Sequence, residues 1–144
     1  MQVEGLFNST VELLGKNIDL RAKNQNLISS NIANAETPSY VPKALEFEDE
    51  LQGALKAGER RRGTPAVTNS RHFSLKGAAT VDRIQSVTGH IIETPAKSPG
   101  KDGNAVEMEG EMSRMAENQI MYNASVQILS KKFEALRTAL REGK

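Results

Sequence analysis

A long apolar repeat near the C-terminal end is the feature that most constrains the fold. Ten positions follow one another in alternating steps of four and three residues, and all but the glutamine are apolar or aromatic: Met108, Met112, Met115, Gln119, Tyr122, Val126, Leu129, Phe133, Leu136 and Leu140. Side chains at this spacing return to one side of an α-helix, so the repeat predicts an unbroken helix that starts near Asn104. A helix of about 36 residues would be roughly 54 Å long. Because no small domain is that wide, the helix must lie along an equally long partner.

The N-terminal segment supplies the expected partner. Two apolar rows run through it as far as Asn34, the first interrupted by the polar residues Arg21 and Gln25: Phe7, Val11, Leu14, Ile18, Ile28 and Ile32, and beside them Leu6, Leu13, Leu20 and Leu27. Together the rows are wider than a two-stranded coiled coil needs, which indicates contact with more than one neighbour. The predicted fold class is mainly α, with long N- and C-terminal helices that form an antiparallel coiled-coil layer.

The N-terminal helix is predicted to end within the stretch Asn31–Tyr40. Asn34 is the expected C-cap, because asparagine tolerates a left-handed backbone better than most residues. Pro38 pushes Thr37 toward an extended conformation, so the helix has to be over by that point. The stretch is therefore a corner at which the chain leaves the helical layer.

The region between the two helices differs from them in composition. Residues 41–103 hold seven of the eleven glycines and four of the five prolines, so we expect an irregular region, either a compact subdomain or an arm. Phe47, Leu51 and Leu55 have helical spacing and predict a short helix that ends at Gly58.

Alternation within this region is compatible with short β-strands. It runs from His72 to Glu93 and allows a few short strands or a loose hairpin. The apolar residues that carry the alternation are Phe73, Leu75, Val87 and Ile91. The expected units of the chain are residues 1–40, residues 41–103 and residues 104–144.

The composition argues against most kinds of chemical site. The chain has no cysteine, which excludes disulfides and thiolate zinc sites. His72 and His90 lie in separate segments without a spaced ligand set, so we expect no metal and no cofactor. Nucleotide-binding and hydrolase motifs are absent from the sequence, so we expect neither an enzyme nor a small-molecule substrate. The net charge is +1, and the run Arg60–Arg62 lacks interleaved aromatics, so an exposed loop or a subunit contact is expected there rather than nucleic-acid binding.

Nothing in the sequence predicts insertion into a membrane. No apolar run approaches the length of about 18 residues that a spanning helix requires. The first residues also lack a basic region followed by an apolar core, so a cleaved signal peptide is not expected. If the protein leaves the cytoplasm, its route has to leave its start uncut.

The stretch Asn31–Tyr40 carries a family resemblance. It reads NIANAETPSY and resembles the NIANAETPGY motif of bacterial flagellar rod, hook and related axial proteins. Residues 102–107, Glu111-Met112, and residues 116–119 and 122–126 are similar to the proximal rod subunits of that family. Ser39 stands where the motif usually carries glycine, so we do not expect this position to require a positive φ.

The resemblance implies a function, a location and partners. It implies a structural subunit of the proximal rod of the flagellar basal body, a periplasmic structure, which connects the ring and export-gate base to the distal rod and transmits torque. It also implies export by the flagellar type III apparatus without cleavage, followed by helical assembly through the terminal helices. The implied partners are other rod proteins, MS-ring and export-gate components, and further copies of the chain.

The resemblance also directs attention to particular residues. Those expected to make assembly contacts come from the corner and from both apolar repeats: Asn31, Ile32, Asn34, Thr37, Pro38, Tyr40, Leu14, Ile18, Met112, Tyr122, Leu129 and Phe133. In related subunits the export gate reads a phenylalanine followed four residues later by an apolar residue, a spacing that Phe47 and Leu51 match.

Two other classes of function remain open from the sequence. One is a non-enzymatic helical adaptor or secretion partner of the export machinery. The other is an enzyme that remodels the cell wall during rod growth, but the chain offers no candidate pair of acidic residues for it.

Overall fold

A computed structural model describes residues 9–60, 78–95 and 103–142 of the 144-residue chain. Within these ranges the elements, in chain order, are α1 (Ser9–Ala33), β1 (Lys43–Glu46), α2 (Glu48–Arg60), α3 (Ala78–Ser86), β2 (His90–Glu93) and α4 (Met108–Glu142). The predicted fold class is confirmed: the protein is mainly helical, with two long terminal helices and a small antiparallel sheet between them in sequence.

Helices α1 and α4 pack side by side in antiparallel directions. Hydrogen bonds between side chains join Asn17 to Ser125, Asn24 to Asn118, and Asn31 to Glu111. The residue numbers of each pair add to 142, so one register runs along the whole contact. The same register sets Ser9 opposite Phe133, and α4 therefore continues past the described start of α1.

The middle of the chain packs against the side of α1. Strands β1 and β2 pair in antiparallel register, from Lys43 opposite Glu93 to Glu46 opposite His90. Helices α2 and α3 contact each other, and α3 also contacts α1. The buried core that results takes residues from α1, β1, α2 and α3 and from the positions next to them: Leu20, Leu45, Phe47, Leu51, Ile84 and Val87.

The second apolar row of α1 faces this core. Leu20 is buried in it, and Leu13 and Leu27 pack against it. Ile28 of the first row is buried outside this core, and Phe7 of that row and Leu6 of the second lie outside the described residues. Helix α1 contacts α4 as well as α3 and β1, so the expectation that α1 touches more than one neighbour is confirmed.

The structure corrects the sequence interpretation of the middle region in two places. Residues predicted to alternate as strands contain α3, because Val81 and Ile84 have helical spacing and Ile84 is fully buried. Strand β2 does exist, but it pairs with distant β1 and makes no local hairpin. Phe73 and Leu75 lie outside the described residues.

Two helix boundaries also differ from the prediction. Helix α2 continues to Arg60, beyond the expected end at Gly58. Helix α4 starts at Met108 and not near Asn104. The Asn104 side chain accepts a hydrogen bond from the Val106 backbone N–H at 2.9 Å, and the Ala105 N–H donates to the Tyr40 carbonyl at 3.3 Å. These contacts hold the segment before Met108 against the corner, so the first helical turn begins only at Met108.

Truncating the centre of the core should destabilise the protein strongly. Ile84→Ala removes a fully buried side chain among tightly packed neighbours, and it should lower the free energy of unfolding by about 3 kcal/mol. Ile91→Ala is the matched control, since Ile91 on β2 is 53% exposed. Urea unfolding followed by circular dichroism measures both; equal midpoints for the two variants would contradict this account of the core.

Candidate functional site

The side-chain amide of Asn31 joins three parts of the structure. Its Nδ2 donates to the Lys43 carbonyl at 2.8 Å and to the Glu111 carboxylate at 2.9 Å. Its Oδ1 accepts from the Lys43 backbone N–H at 3.0 Å and from the Tyr40 hydroxyl at 3.2 Å. All four hydrogen-bonding positions of the amide are thus used, and Asn31 is 1% exposed. One side chain on α1 holds the corner, the start of β1 and the first turns of α4.

The corner itself is held by hydrogen bonds within its own sequence. The Asn34 side chain donates to the Ser30 carbonyl at 2.8 Å and accepts from the Thr37 hydroxyl at 3.2 Å. The Thr37 N–H donates to the Asn34 carbonyl at 2.9 Å, and the Tyr40 N–H donates to the Thr37 carbonyl at 3.3 Å. These bonds satisfy groups that the end of a helix leaves unpaired, so the chain turns without losing backbone hydrogen bonds.

The left-handed residue of the corner is Ser39 and not Asn34. Ser39 has φ of 59°, and it alone among the described non-glycine residues has a positive φ. The prediction of a left-handed Asn34 was wrong, because its amide side chain caps the helix through hydrogen bonds. The expectation that position 39 needs no positive φ was also wrong. This conformation suits the glycine of the motif, and serine adopts it at a cost.

The corner is also tied to the segment that leads into α4. The Asn104 side chain donates to the Ala35 carbonyl. Gly103 has φ of 77°, and a Cβ built on it would lie 3.4 Å from the Ser39 hydroxyl oxygen. The two left-handed residues therefore lie next to each other, one in the corner and one in the segment returning to α4. The corner joins both terminal helices in one rigid unit.

Below the corner, α1 and α4 meet through buried and half-buried polar side chains, here named the polar seam. Its members repeat every seven residues on each helix: Asn17, Asn24 and Asn31 on α1, and Glu111, Asn118 and Ser125 on α4. The Asn17 amide donates to the Ser125 hydroxyl at 3.3 Å. The Asn118 amide donates to the Arg21 carbonyl at 3.0 Å and to Gln25 Oε1 at 2.8 Å. Because each bond needs one particular partner, the polar seam selects a single register for the helix pair.

Arg21 is buried beside the polar seam and links α1 to α2. Its guanidinium forms an ion pair with the Glu48 carboxylate at 2.8 Å and lies 5.4 Å from the centre of the Phe47 ring. The Glu48 side chain is 71% exposed, so solvent screens the pair and its contribution to stability is modest. Within the described residues the Arg21 Nε has no hydrogen-bond partner. Arg21 and Gln25, interpreted from the sequence as interruptions of an apolar row, are part of the contact between elements.

The apolar repeat of α4 divides between two environments. Tyr122 and Leu129 are half-buried on the side that faces α1, together with Met115. Met112 and Phe133 lie on the outer surface, 59% and 46% exposed. The repeat is therefore not one continuous buried row, and the polar residues Glu111, Asn118 and Ser125 occupy the buried positions of α4.

The remaining assembly candidates lie on α1 and in the corner. Leu14, Ile18 and Ile32 are half-buried along α1. Thr37 and Pro38 are exposed at the tip of the corner. The structure thus brings Asn31 and Tyr40 together at one buried point, whereas Met112 and Phe133 stand apart from it on the outside of α4.

Phe47 and Leu51 are core residues in the folded protein. They are 4% and 8% exposed and pack with Leu45, Ile84 and Val87. A partner that reads both side chains cannot reach them in this structure.

The apolar repeats do not reveal the polar seam or the role of Glu111. The asparagines at 17, 24 and 31 repeat every seven residues as regularly as any leucine row. A polar repeat in step with an apolar repeat was the signal that could have found it.

A cavity of about 140 Å³ lies beside Arg21, where α1, β1 and α4 meet, lined in part by Lys43, Glu111, Arg114 and Asn118. Its lining carries charges of both signs together with the apolar residues Ile28 and Leu45. Across residues 9–60, 78–95 and 103–142, no group of three or more potential ligands could hold a metal ion. Over the same residues, every helix is too short or too polar to cross a membrane.

Comparison with known proteins finds relatives that share one name. No protein-family model matches the chain. A flagellar basal body rod protein FlgB of Cereibacter sphaeroides is 36% identical over 122 residues, which cover 85% of this chain and 86% of the relative. The protein of the same name from Salmonella typhimurium strain LT2 is 27% identical over 126 residues, 88% of each chain. That of Escherichia coli K12 is 28% identical, also over 126 residues and 88% of each chain.

Removing the Asn31 amide should destabilise the helix pair and the corner together. Asn31→Ala removes the side-chain partner of both Lys43 backbone groups and of Glu111 Oε2, although Glu111 Oε1 keeps its ion pair with Arg114, and it should lower the free energy of unfolding by about 3 kcal/mol. Asn26→Ala is the control on the exposed side of the same helix and should change it by less than about 0.5 kcal/mol. Chemical unfolding measures both, and a similar small loss in the two variants would contradict the central role of Asn31.

The backbone of Ser39 gives a second test of the corner. Ser39→Gly should raise the free energy of unfolding by about 1 kcal/mol, because glycine adopts a positive φ without steric cost. Ser39→Val should lower it, since a β-branched side chain is disfavoured in that conformation. Thermal unfolding of the two variants measures the sign, and a glycine variant as unstable as the valine variant would exclude a left-handed Ser39.

Proposed function

The chain belongs to the FlgB family of flagellar basal-body rod proteins, and we propose that it is a structural subunit of the flagellar basal-body rod. The observation that carries the proposal is the outer surface of α4. Large apolar side chains are exposed along α4, a helix of 35 residues whose other side already packs against α1. An exposed apolar surface of this length is typical of a subunit that is completed by its neighbours.

Within the rod, we assign the chain to the proximal part. There it would join the ring and export-gate base to the distal rod and transmit torque. Its partners would be other rod proteins, components of the MS ring and export gate, and copies of itself, and the rod that they build would lie in the periplasm. The hydrogen-bonded corner supports a role in torque transmission, because Asn31 links α1, β1 and α4 through four bonds at one buried point. Because every hydrogen-bonding position of the Asn31 amide has a partner, this joint resists bending between the two terminal helices.

Export through the flagellar type III apparatus would occur before folding and without cleavage. Phe47 and Leu51, the residues expected to be read by the export gate, are buried in the folded core. They are accessible to a gate only while the chain is unfolded. Burial after export would then remove the recognition element, so the same two side chains would serve first in export and later in packing.

The predicted assembly residues fall into three groups under this proposal. The first group shapes the joint from within and consists of Asn31, Asn34 and Tyr40. The second is half-buried along the two terminal helices: Leu14, Ile18, Ile32, Tyr122 and Leu129. The third is exposed and available to neighbouring subunits: Thr37, Pro38, Met112 and Phe133.

Two substitutions in α4 separate folding from assembly. In a strain that lacks the gene, Leu129→Asp should abolish motility and lower the free energy of unfolding by about 2 kcal/mol, because Leu129 is half-buried against α1. Phe133→Asp should also abolish motility while it leaves the unfolding midpoint nearly unchanged, since Phe133 is 46% exposed. Gln127→Asp, exposed on the same helix, is the matched control and should swim normally.

Microscopy of basal bodies from these strains completes the test. Arrest of the structure at the base of the rod is the expected result for the deletion strain and for Phe133→Asp. Complete rods in the deletion strain would overturn the proposed function. Retention of the protein in the cytoplasm, bound to export components, would instead support a helical adaptor or secretion partner.

A further inference from the structure

Strand β2 has one edge that no described element covers. The Thr94 N–H donates to the Pro42 carbonyl at 2.9 Å, so these two opposite residues form a hydrogen-bonded pair. In an antiparallel ladder bonded and non-bonded pairs alternate, and the backbone groups of a non-bonded pair point away from the partner strand. Positions 91 and 93 belong to non-bonded pairs in this register. The N–H and C=O groups of Ile91 and Glu93 therefore point away from β1.

The outer edge of β1 is covered, in contrast, by side chains of α1. The Lys43 N–H donates to Asn31 Oδ1 at 3.0 Å, and the Leu45 N–H donates to Asn24 Oδ1 at 3.3 Å. Strand β2 packs closely only with β1 among the described elements, and none of the described residues bonds its outward N–H and C=O groups. An unpaired edge of this kind is a template for an added strand.

The side chain of Ile91 leaves apolar surface uncovered at this edge. Ile91 lies opposite Leu45, so both side chains are on the same face of the sheet. Leu45 is 6% exposed in the core, whereas Ile91 is 53% exposed. The core therefore ends beneath β1, and a strand beside β2 would cover Ile91 with the side chain opposite it. An added strand also stabilises a sheet, since two strands alone are marginal in water.

An acidic groove adjoins the start of β2. It has a volume of about 400 Å³, and His90 lines it together with residues of β1 and of the first turn of α2. The charged side chains of its lining are four acidic and one basic: Glu46, Glu48, Asp49, Glu50 and Arg21. Arg21 is already paired with Glu48, and Glu93 adds an exposed carboxylate at the far end of β2. The edge of β2 is thus acidic at both ends.

We propose that the free edge of β2 docks an extended, basic segment of another rod protein. The backbone of the segment would bond the outward groups of Ile91 and Glu93 as a third strand. An apolar side chain opposite Ile91 would cover it, and a lysine or arginine opposite His90 would enter the acidic groove. Successive side chains of a strand point to opposite faces, so the apolar and the basic residue are neighbours in the segment's sequence. The proposal rests on the proposed function and deepens it by naming the chemistry of one partner.

Charge and backbone geometry select this occupant. A second copy that offered its own β2 would bring its Glu93 and its acidic groove against the same groups, and like charges would meet. A helix cannot bond the edge, because its own backbone groups are already paired along the helix. An extended basic segment satisfies both the outward backbone groups and the carboxylates around them.

Photocrosslinking in motile cells tests the docking directly. The photoreactive residue p-benzoylphenylalanine replaces Ile91 in a strain that lacks the native gene, and mass spectrometry identifies the attached peptide. The expected product joins position 91 to another rod protein, at a segment where a basic residue adjoins the attachment point. Glu46→Lys in the same chain should reduce this product about tenfold, because it reverses one charge of the groove. The matched control is Asp82→Lys, exposed on α3 and outside the groove lining, which should leave the product unchanged.

Two substitutions at position 91 separate backbone pairing from side-chain contact. Ile91→Pro removes the outward N–H without removing a bond to β1, and edge strands tolerate proline. Ile91→Ala keeps that N–H and loses only the apolar side chain. Both variants should unfold in urea near the midpoint of the unmodified chain, because the edge is uncovered in the isolated protein. In swimming assays Ile91→Pro should spread about threefold less than Ile91→Ala, since only proline prevents the added strand from bonding.

Several results would overturn the proposal. Attachment within the same chain would mean that its own residues occupy the edge, and attachment to a second copy or to an acidic segment would mean that the occupant has a different chemistry. A product that Glu46→Lys leaves unchanged would exclude selection by charge, and equal swimming of the two position-91 variants would exclude backbone pairing. Motile cells without any product at position 91 would leave the edge unoccupied and the rod function intact. Failure of the unmodified gene to restore rods would instead count against the proposed function itself.

Discussion

The fold depends on one buried amide. The Asn31 residue is 1% exposed, and its side-chain amide makes four hydrogen bonds. The partners lie in the corner, in β1 and in the first turns of α4. Without these bonds the Lys43 backbone groups and Glu111 Oε2 would lose their side-chain partner in a buried place, a situation that folded proteins avoid. The position of the corner, the start of the sheet and the register of the helix pair are thus all set at the same point.

The polar seam fixes the register along the rest of the helix pair in the same way. Leucines in its place would pack in several registers with similar energy, whereas amides and hydroxyls that bond particular partners favour one. Buried polar contacts of this kind add less stability than apolar packing of equal area. The helix pair therefore has a defined register but gains less stability from its own contact. The packing energy comes instead from the core that Leu20, Ile84 and Val87 form on the other side of α1. A subunit that has to present its outer residues at fixed positions benefits from such a register.

Much of the architecture follows from local sequence patterns. The long repeats predicted both terminal helices and their antiparallel pairing, because steps of three and four residues are specific for helices. The same repeats did not predict which side of α4 faces inward. Exposed members occur along the whole row, from Met112 to Leu140, while the polar residues Glu111, Asn118 and Ser125 occupy the buried side of α4.

By itself, the sequence determined the elements whose causes lie within a few residues: the two long helices, the short helix after Phe47 and the end of α1 before Pro38. Only the tertiary structure decided the contacts between distant residues. Asn31 and Glu111 are 80 positions apart, and β1 pairs with a strand beyond two helices. The positive φ of Ser39 belongs to the same group, since the corner and the segment at Gly103 lie against each other there. Periodicity reports which residues share a side of a helix, but the side that becomes buried depends on the elements that fold against it.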